Sequence, residues 1–141
     1  MAEDSIKLEV VTPIKMAVTA QVSSVTAPSV QGEFGVLPGH RPLLAALDFG
    51  RVLYEQSGHG VEAAVGPGFA EVGPDQVTLL VEHWVPAATI NADEMRDELA
   101  RSEDRLKDLM GQETTAEYQQ ALRDEKWASV RLEVANRHHE S

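Results

Sequence analysis

Residues 69–81 read FAEVGPDQVTLLV. Two short runs of aromatic, β-branched and aliphatic residues, Phe69 to Val72 and Val77 to Val81, flank Gly73, Pro74, Asp75 and Gln76. A cluster of Gly, Pro and Asp between apolar runs is a turn signal, so the stretch reads as strand, turn, strand. Val77 to Val81 is almost entirely apolar, which predicts a central strand covered on both faces. Moving toward the N-terminus, Val52 to Glu55 and Val61 to Val65 flank a hairpin loop at Gln56 to Gly60. Ile6, Leu8 and Val10 alternate with Lys7, Glu9 and Val11, and Val18, Ala20 and Val22 alternate with Thr19, Gln21 and Ser23. Each is a strand with one face to bury and the other largely wet. Many short strands punctuated by turn residues predict an all-β sandwich N-terminal domain.

Toward the C-terminus the pattern changes. All seven prolines and nine of the ten glycines precede residue 87, and only Gly111 follows it. Residues 1–87 hold 10 acidic and 4 basic side chains, whereas residues 88–141 hold 13 and 8. The boundary is placed near Ala87, with a β-sandwich over 1–87 and an α-helical hairpin over 88–141. Asn91 with Glu94, and Thr114 with Glu117, have the spacing of capping boxes that open helices. Met95, Leu99, Leu106 and Leu109 or Met110 follow a seven-residue-like spacing with Ser102 as the weak member, and Gly111 is placed to end the first helix. The second helix is predicted from about Thr115 to Asn136. Tyr118, Ala121, Leu122, Ala128, Leu132 and Ala135 share one of its faces, while Trp127, Val130 and Val134 fall nearly opposite. One helical neighbour cannot cover both. The alanine face can pack on the first helix and the Trp127 face on the sandwich, or one face can serve another protein in a second state. Short helices without a packed core are marginal in water, so such an arm is redirected by a few kcal/mol of differential affinity.

The composition narrows the function. The 141 residues include no cysteine, which excludes disulfides, thiolate zinc sites and thiol nucleophiles. With 12 Lys and Arg scattered among 23 Asp and Glu, and a net charge of -11, the chain lacks the clustered cations that phosphate backbones require. No nucleic-acid partner is expected. The N-terminus has no signal-peptide pattern and the longest apolar stretch, Pro42 to Leu47, is too short to span a bilayer, so direct membrane insertion is not expected either. The serines lie in no GxSxG or SxxK frame, there is no phosphate-cradling loop, and the histidines offer no HExxH spacing. Catalytic residues and metal ligands are therefore expected to be none, and His138 and His139 read as solvated tail residues.

One segment departs from a generic β-domain. Residues 32–43, GEFGVLPGHRPL, concentrate glycines, prolines, large apolar residues and a histidine into a loop too stiff and too apolar for an ordinary connection. It is either a binding loop built from Glu33, Phe34, Gly35, Leu37, Pro38, Gly39 and His40, or a locally packed turn in which Phe34 and Leu37 cap the sandwich.

That segment, continued through Leu44, closely resembles the glycine-rich stretch of the epsilon subunit of bacterial and chloroplast F-type ATP synthases. Further matches follow in order at Val11 to Pro13, Gly68 to Val72, Val77 to Leu80 and Asp93 to Arg96, so the resemblance covers essentially the whole chain. It implies a non-catalytic central-stalk subunit that couples proton-driven rotation to ATP synthesis and inhibits ATP hydrolysis. Its sandwich would bind the gamma subunit and the ring of c subunits, with the loop around Glu33 and His40 near that ring. Its hairpin would fold down, or extend into the catalytic head and meet the alpha and beta subunits through Arg123, Lys126, Trp127, Val130, Arg131 and Val134. Its place would be peripheral, at the cytoplasmic face of the bacterial inner membrane. Some relatives bind ATP at the hairpin. Here Asp93 and Arg96 keep the Asp-x-x-Arg spacing, but Asp97 replaces an alanine and adds a carboxylate, so ATP is expected at most as a weak regulatory ligand. Asp124, Glu125 and Glu133 dilute Arg123, Lys126, Arg131 and Arg137, which predicts weak, salt-sensitive docking of the arm. The competing readings are a free-standing β-sandwich adaptor with a helical interaction arm and, well behind it, a small hydrolase with dispersed carboxylates.

Overall fold

A computed structural model describes residues 4–140, with side chains through His138. The chain forms two compact units that part between Pro86 and Ala87. Among its described residues the first contains ten strands: β1 (Ile6–Val11), β2 (Met16–Val22), β3 (Ser24–Ser29), β4 (Gly32–Val36), β5 (Leu43–Leu47), β6 (Gly50–Gln56), β7 (His59–Val65), β8 (Gly68–Val72), β9 (Gln76–Val81) and β10 (Trp84–Pro86). Their hydrogen-bonded order is β10-β7-β6-β3-β5-β8-β9-β1-β2, with β4 paired to β3. Only one residue pair, Ser29 with Leu47, joins β3 to β5. The sheet therefore folds over at that joint into two layers, β10-β7-β6-β3-β4 and β5-β8-β9-β1-β2.

The predicted alternation carries the packing. Ile6, Leu8 and Val10 are fully buried and meet Val22, Val25, Val36, Val52, Val65, Val77 and Leu79 in one core between the layers. Tyr54 lies in that core with its ring stacked on Trp84 at 6.5 Å between centroids. Burial pushes its phenol pKa up. All pairings are antiparallel except β1 with β9, which run parallel. The β6–β7 hairpin closes more tightly than its five-residue loop suggests. Ladder pairing extends to Gln56 with His59, leaving only Ser57 and Gly58, both at positive φ, as in the two-residue turn that matches strand twist.

The strand at Val77–Val81 corrects an expectation. Its side chains at Val77, Leu79 and Val81 enter the core, but Thr78 is only half-buried and Leu80 is 47% exposed. β9 is interior to the hydrogen-bonded order and yet covered on one face only.

The second unit opens with a single 3-10 turn at Ala87–Thr89, followed by α1 (Ala92–Asp108) and α2 (Ala116–Glu140). Asn91 caps α1, its Oδ1 accepting from the Glu94 N–H at 3.1 Å, and Gly111 takes φ +90° just beyond the helix end. The cap of α2 falls one residue later than predicted, because the Thr115 hydroxyl, not that of Thr114, accepts from the Tyr118 N–H at 3.2 Å. α2 also continues past Asn136, so His138 stands on the helix and not in a tail; the side chain of His139 lies outside the described residues. Ala121, Ala128 and Ala135, seven residues apart, are buried along one line of α2. Two ion pairs, Glu98 with Arg131 and Arg105 with Asp124, step seven residues in opposite directions along the helices and so define an antiparallel hairpin.

Candidate functional site

The open face of β9 belongs to a larger surface. Strand register places Ala46, Phe69, Leu80, Val11 and Met16 side by side across β5, β8, β9, β1 and β2, pointing away from the core. Phe69 is 56% exposed and Met16 52%. Ile14, 87% exposed at the tip of the β1–β2 turn, extends the row beyond Met16. The cleft along this row is walled by Thr12, Pro13, Pro67 and Gly68 and bordered by Glu82. Five neighbouring strands at about 4.8 Å spacing make an apolar band roughly 20 Å long. Isolated exposed apolar residues need no explanation, but a contiguous band on a rigid sheet marks a binding surface.

Local geometry fixes this surface firmly. A Cβ on Gly68 would stand 1.8 Å from the Leu80 carbonyl oxygen, so only glycine lets β8 approach β9 closely enough to set Phe69 against Leu80. One register step away, the outward row reads Leu44, Glu71, Thr78, Glu9 and Thr19. Glu9 accepts from Gln76 at 3.1 Å and pairs with Lys7 at 3.3 Å. The face thus passes from apolar to acidic over two residues of strand.

The glycine-rich segment is not a single loop. Glu33, Phe34 and Gly35 lie on β4, paired with Pro28, Ala27 and Thr26, because the alternation around Phe34 and Val36 suits a strand with one face on the core. Only Leu37 to Pro42 form a loop, pinned by the Gly39 N–H donating to the Pro74 carbonyl at 2.7 Å and the His40 N–H to the Leu37 carbonyl at 3.1 Å. Leu37 is exposed, and the His40 ring bonds through Nδ1 to the Arg41 carbonyl at 2.7 Å. Glu33 and His40 therefore stand at opposite ends of β4. Glu33 neighbours the β3–β4 turn, whose tip Val30 is exposed and hydrogen-bonds through its N–H to the Ala46 carbonyl.

On the hairpin, Asp93 and Arg96 pair with each other in the first turns of α1, both exposed. They do not line the polar groove of the hairpin, which is formed by Glu98, Arg101, Ser102, Arg105, Asp124, Trp127 and Arg131. Arg131 is already engaged: its guanidinium lies 4.8 Å from the Trp127 ring centroid, bonds to the Trp127 carbonyl, and pairs with Glu98 at 2.6 Å. Val134 is buried, Trp127 and Val130 are half-buried, and Arg123 and Lys126 are exposed. Among the described residues no group of His, Asp and Glu side chains converges to hold a metal ion. The apolar band was not assembled from the sequence, although three matched segments, Val11–Pro13, Gly68–Val72 and Val77–Leu80, all contribute to it. Its signal was the outward-facing Leu80 within a run that reads as two-sided core.

Residues 5–87 match the family described as the beta-sandwich domain of the ATP synthase delta/epsilon chain. The ATP synthase epsilon chain of Nitratidesulfovibrio vulgaris is 42% identical over 120 residues, covering 85% of this chain and 90% of that one. That of Geotalea uraniireducens is 37% identical over 135 residues, covering 96% of each. A chain in the cryo-EM structure of the Euglena gracilis mitochondrial ATP synthase, comprising OSCP, F1 and c-ring, superposes with a TM-score of 0.72 at 19% identity, over 97% of this chain and 81% of that one. With a β-sandwich, a helical hairpin and this level of identity along nearly its whole length, the chain belongs to the family of ATP synthase epsilon chains, accessory subunits of the rotary enzyme.

Proposed function

We propose that the sandwich docks on the gamma subunit of the central stalk through the band formed by Ala46, Phe69, Leu80, Val11 and Met16, and so links rotation of the c-subunit ring to the catalytic subunits. The contiguous exposure of that band on a rigid sheet is the observation that carries this reading. Burying the exposed half of Phe69 and of Leu80 against a complementary surface would contribute on the order of 1 kcal/mol each. The ring contact is assigned to the end of the sandwich bearing Val30 and Glu33, where Val30 presents an exposed apolar side chain, with the Leu37–His40 loop at the other end of β4. In the assembled enzyme the chain would lie peripherally, at the cytoplasmic face of the bacterial inner membrane; among the described residues no helix is long and apolar enough to cross a membrane. Phe69→Asp and Leu80→Asp are expected to weaken binding to the ATP synthase core stripped of this chain by about a hundredfold or more, without altering its melting temperature. Undiminished binding by both variants would refute the docking site.

The hairpin is proposed to inhibit ATP hydrolysis by meeting the alpha and beta subunits in a second, opened state. Arg131 supports this reading because it is paired with Glu98 of the facing helix, so it is released to another subunit when the helices part. Removing residues 88–141 is expected to raise hydrolysis by the reconstituted complex; unchanged hydrolysis would end the inhibitory assignment. ATP is proposed as at most a weak ligand here, because Asp93 neutralises Arg96 and Asp97 adds negative charge beside it.

A further inference from the structure

The apolar band is edged by carboxylates on both long sides. Glu71 and Glu9 occupy the next outward row on one side, and Glu82 follows Leu80 on the other, at the lip of the cleft. Lys7 answers Glu9, and Lys15 sits in the turn beside Met16. Among the described residues the Glu71 and Glu82 side chains take part in no hydrogen bond or ion pair, and both are exposed. They are therefore available to a partner without breaking any existing contact.

We infer that the surface received by this face is an apolar ridge flanked on both sides by Lys or Arg, and that Glu71 and Glu82 select and orient it. The inference rests on the docking reading above and specifies the chemistry of the partner. A band of Ala, Phe, Leu, Val and Met gives attraction but little direction, since apolar contact is non-directional. Charges placed asymmetrically along its two edges supply register, and they accelerate encounter with a basic surface. A second copy of this face would bring its own acidic edges against like charge, and an anionic lipid surface would be repelled. Charge complementarity thus favours a basic, apolar-crested protein surface over either.

The test is association kinetics of the full-length chain with the ATP synthase core depleted of it, measured across a series of salt concentrations. Wild type is expected to associate more slowly as salt rises. The double variant Glu71→Gln/Glu82→Gln should associate about tenfold more slowly at low salt, with a flattened salt dependence and a dissociation rate changed far less. Glu71→Lys/Glu82→Lys should be slower still, while melting temperatures stay at the wild-type value. Leu80→Asp separates the two levels of the argument. If Leu80→Asp abolishes binding while the Glu variants keep wild-type rates and salt slope, the electrostatic inference is wrong and the docking site stands. If Leu80→Asp and Phe69→Asp both bind normally, the docking site itself is wrong. Sedimentation of the isolated chain showing a concentration-dependent dimer that Leu80→Asp dissolves would overturn the inference in favour of a second copy as the occupant.

Discussion

The sandwich and the hairpin solve the problem of burial with different materials. In the sandwich, Ile, Leu and Val interlock in one core between the layers, and most of the strands that carry them are hydrogen-bonded to a neighbour on each side. In the hairpin the seam is built largely from alanines at 121, 128 and 135, with Met95 and Leu109 at the two ends of the facing helix and ion pairs across the groove. Small residues let helices approach closely but remove little apolar surface from water, and partly exposed ion pairs contribute about 0–1 kcal/mol each. The contrast teaches that the first unit is built to present a surface without deforming, while the second is held together by interactions weak enough to exchange for others.

The sharpest way to break this contrast is to damage each core in turn. Leu8→Ala should cost the sandwich about 2–5 kcal/mol, seen as a lower denaturant midpoint for the whole unit, because Leu8 is fully buried and its neighbours belong to both layers. A cost below about 1 kcal/mol would mean the core is looser than described. Ala128→Leu should cost about 1–3 kcal/mol by wedging the seam open. Hydrogen exchange should then accelerate across α1 and α2 while the sandwich strands keep their protection. Acceleration throughout the chain would show that the two units unfold together. Arg131→Ala is smaller, about 1 kcal/mol, through the lost Glu98 pair and Trp127 stacking, and it should again be confined to the helices.

The smallest effect concerns pH and belongs to the sandwich alone. Burial raises the folded-state pKa of Tyr54 above its ordinary value of 10.0. Its contribution is therefore fully present below about pH 10 and lost as pH rises through that range, when the unfolded chain ionises first. Chemical unfolding followed from about pH 8 to about pH 11 should show this loss, and Tyr54→Phe should flatten it.

Much of this organisation was legible in the chain. The period-two alternation of Ile6, Leu8 and Val10, the cap at Asn91 and the stop at Gly111 each express a local rule that tertiary packing did not override. The failures are instructive for the opposite reason. Val77–Val81 reads as a strand covered on both faces because Leu79 in the core and Leu80 on the open face are the same residue type, and sequence pattern alone cannot separate the two. Glu33, Phe34 and Gly35 read as loop because glycines at 32 and 35 masked the alternation of Phe34 and Val36. The band across five strands could not be assembled beforehand, since it depends on register between segments as distant as Val11 and Leu80. On the hairpin, the line of alanines was visible at helical spacing, but the engagement of Arg131 by Glu98 and Trp127 required knowing which turns of two helices face each other.

The Phe69–Leu80–Val11–Met16 face should be open in the free chain and covered on assembly. Hydroxyl-radical footprinting of the full-length chain, alone and within the reconstituted ATP synthase, tests it directly. Labelling of Met16 and Phe69 should be strong in the free chain and suppressed in the complex. Equal labelling in both states would contradict the claim.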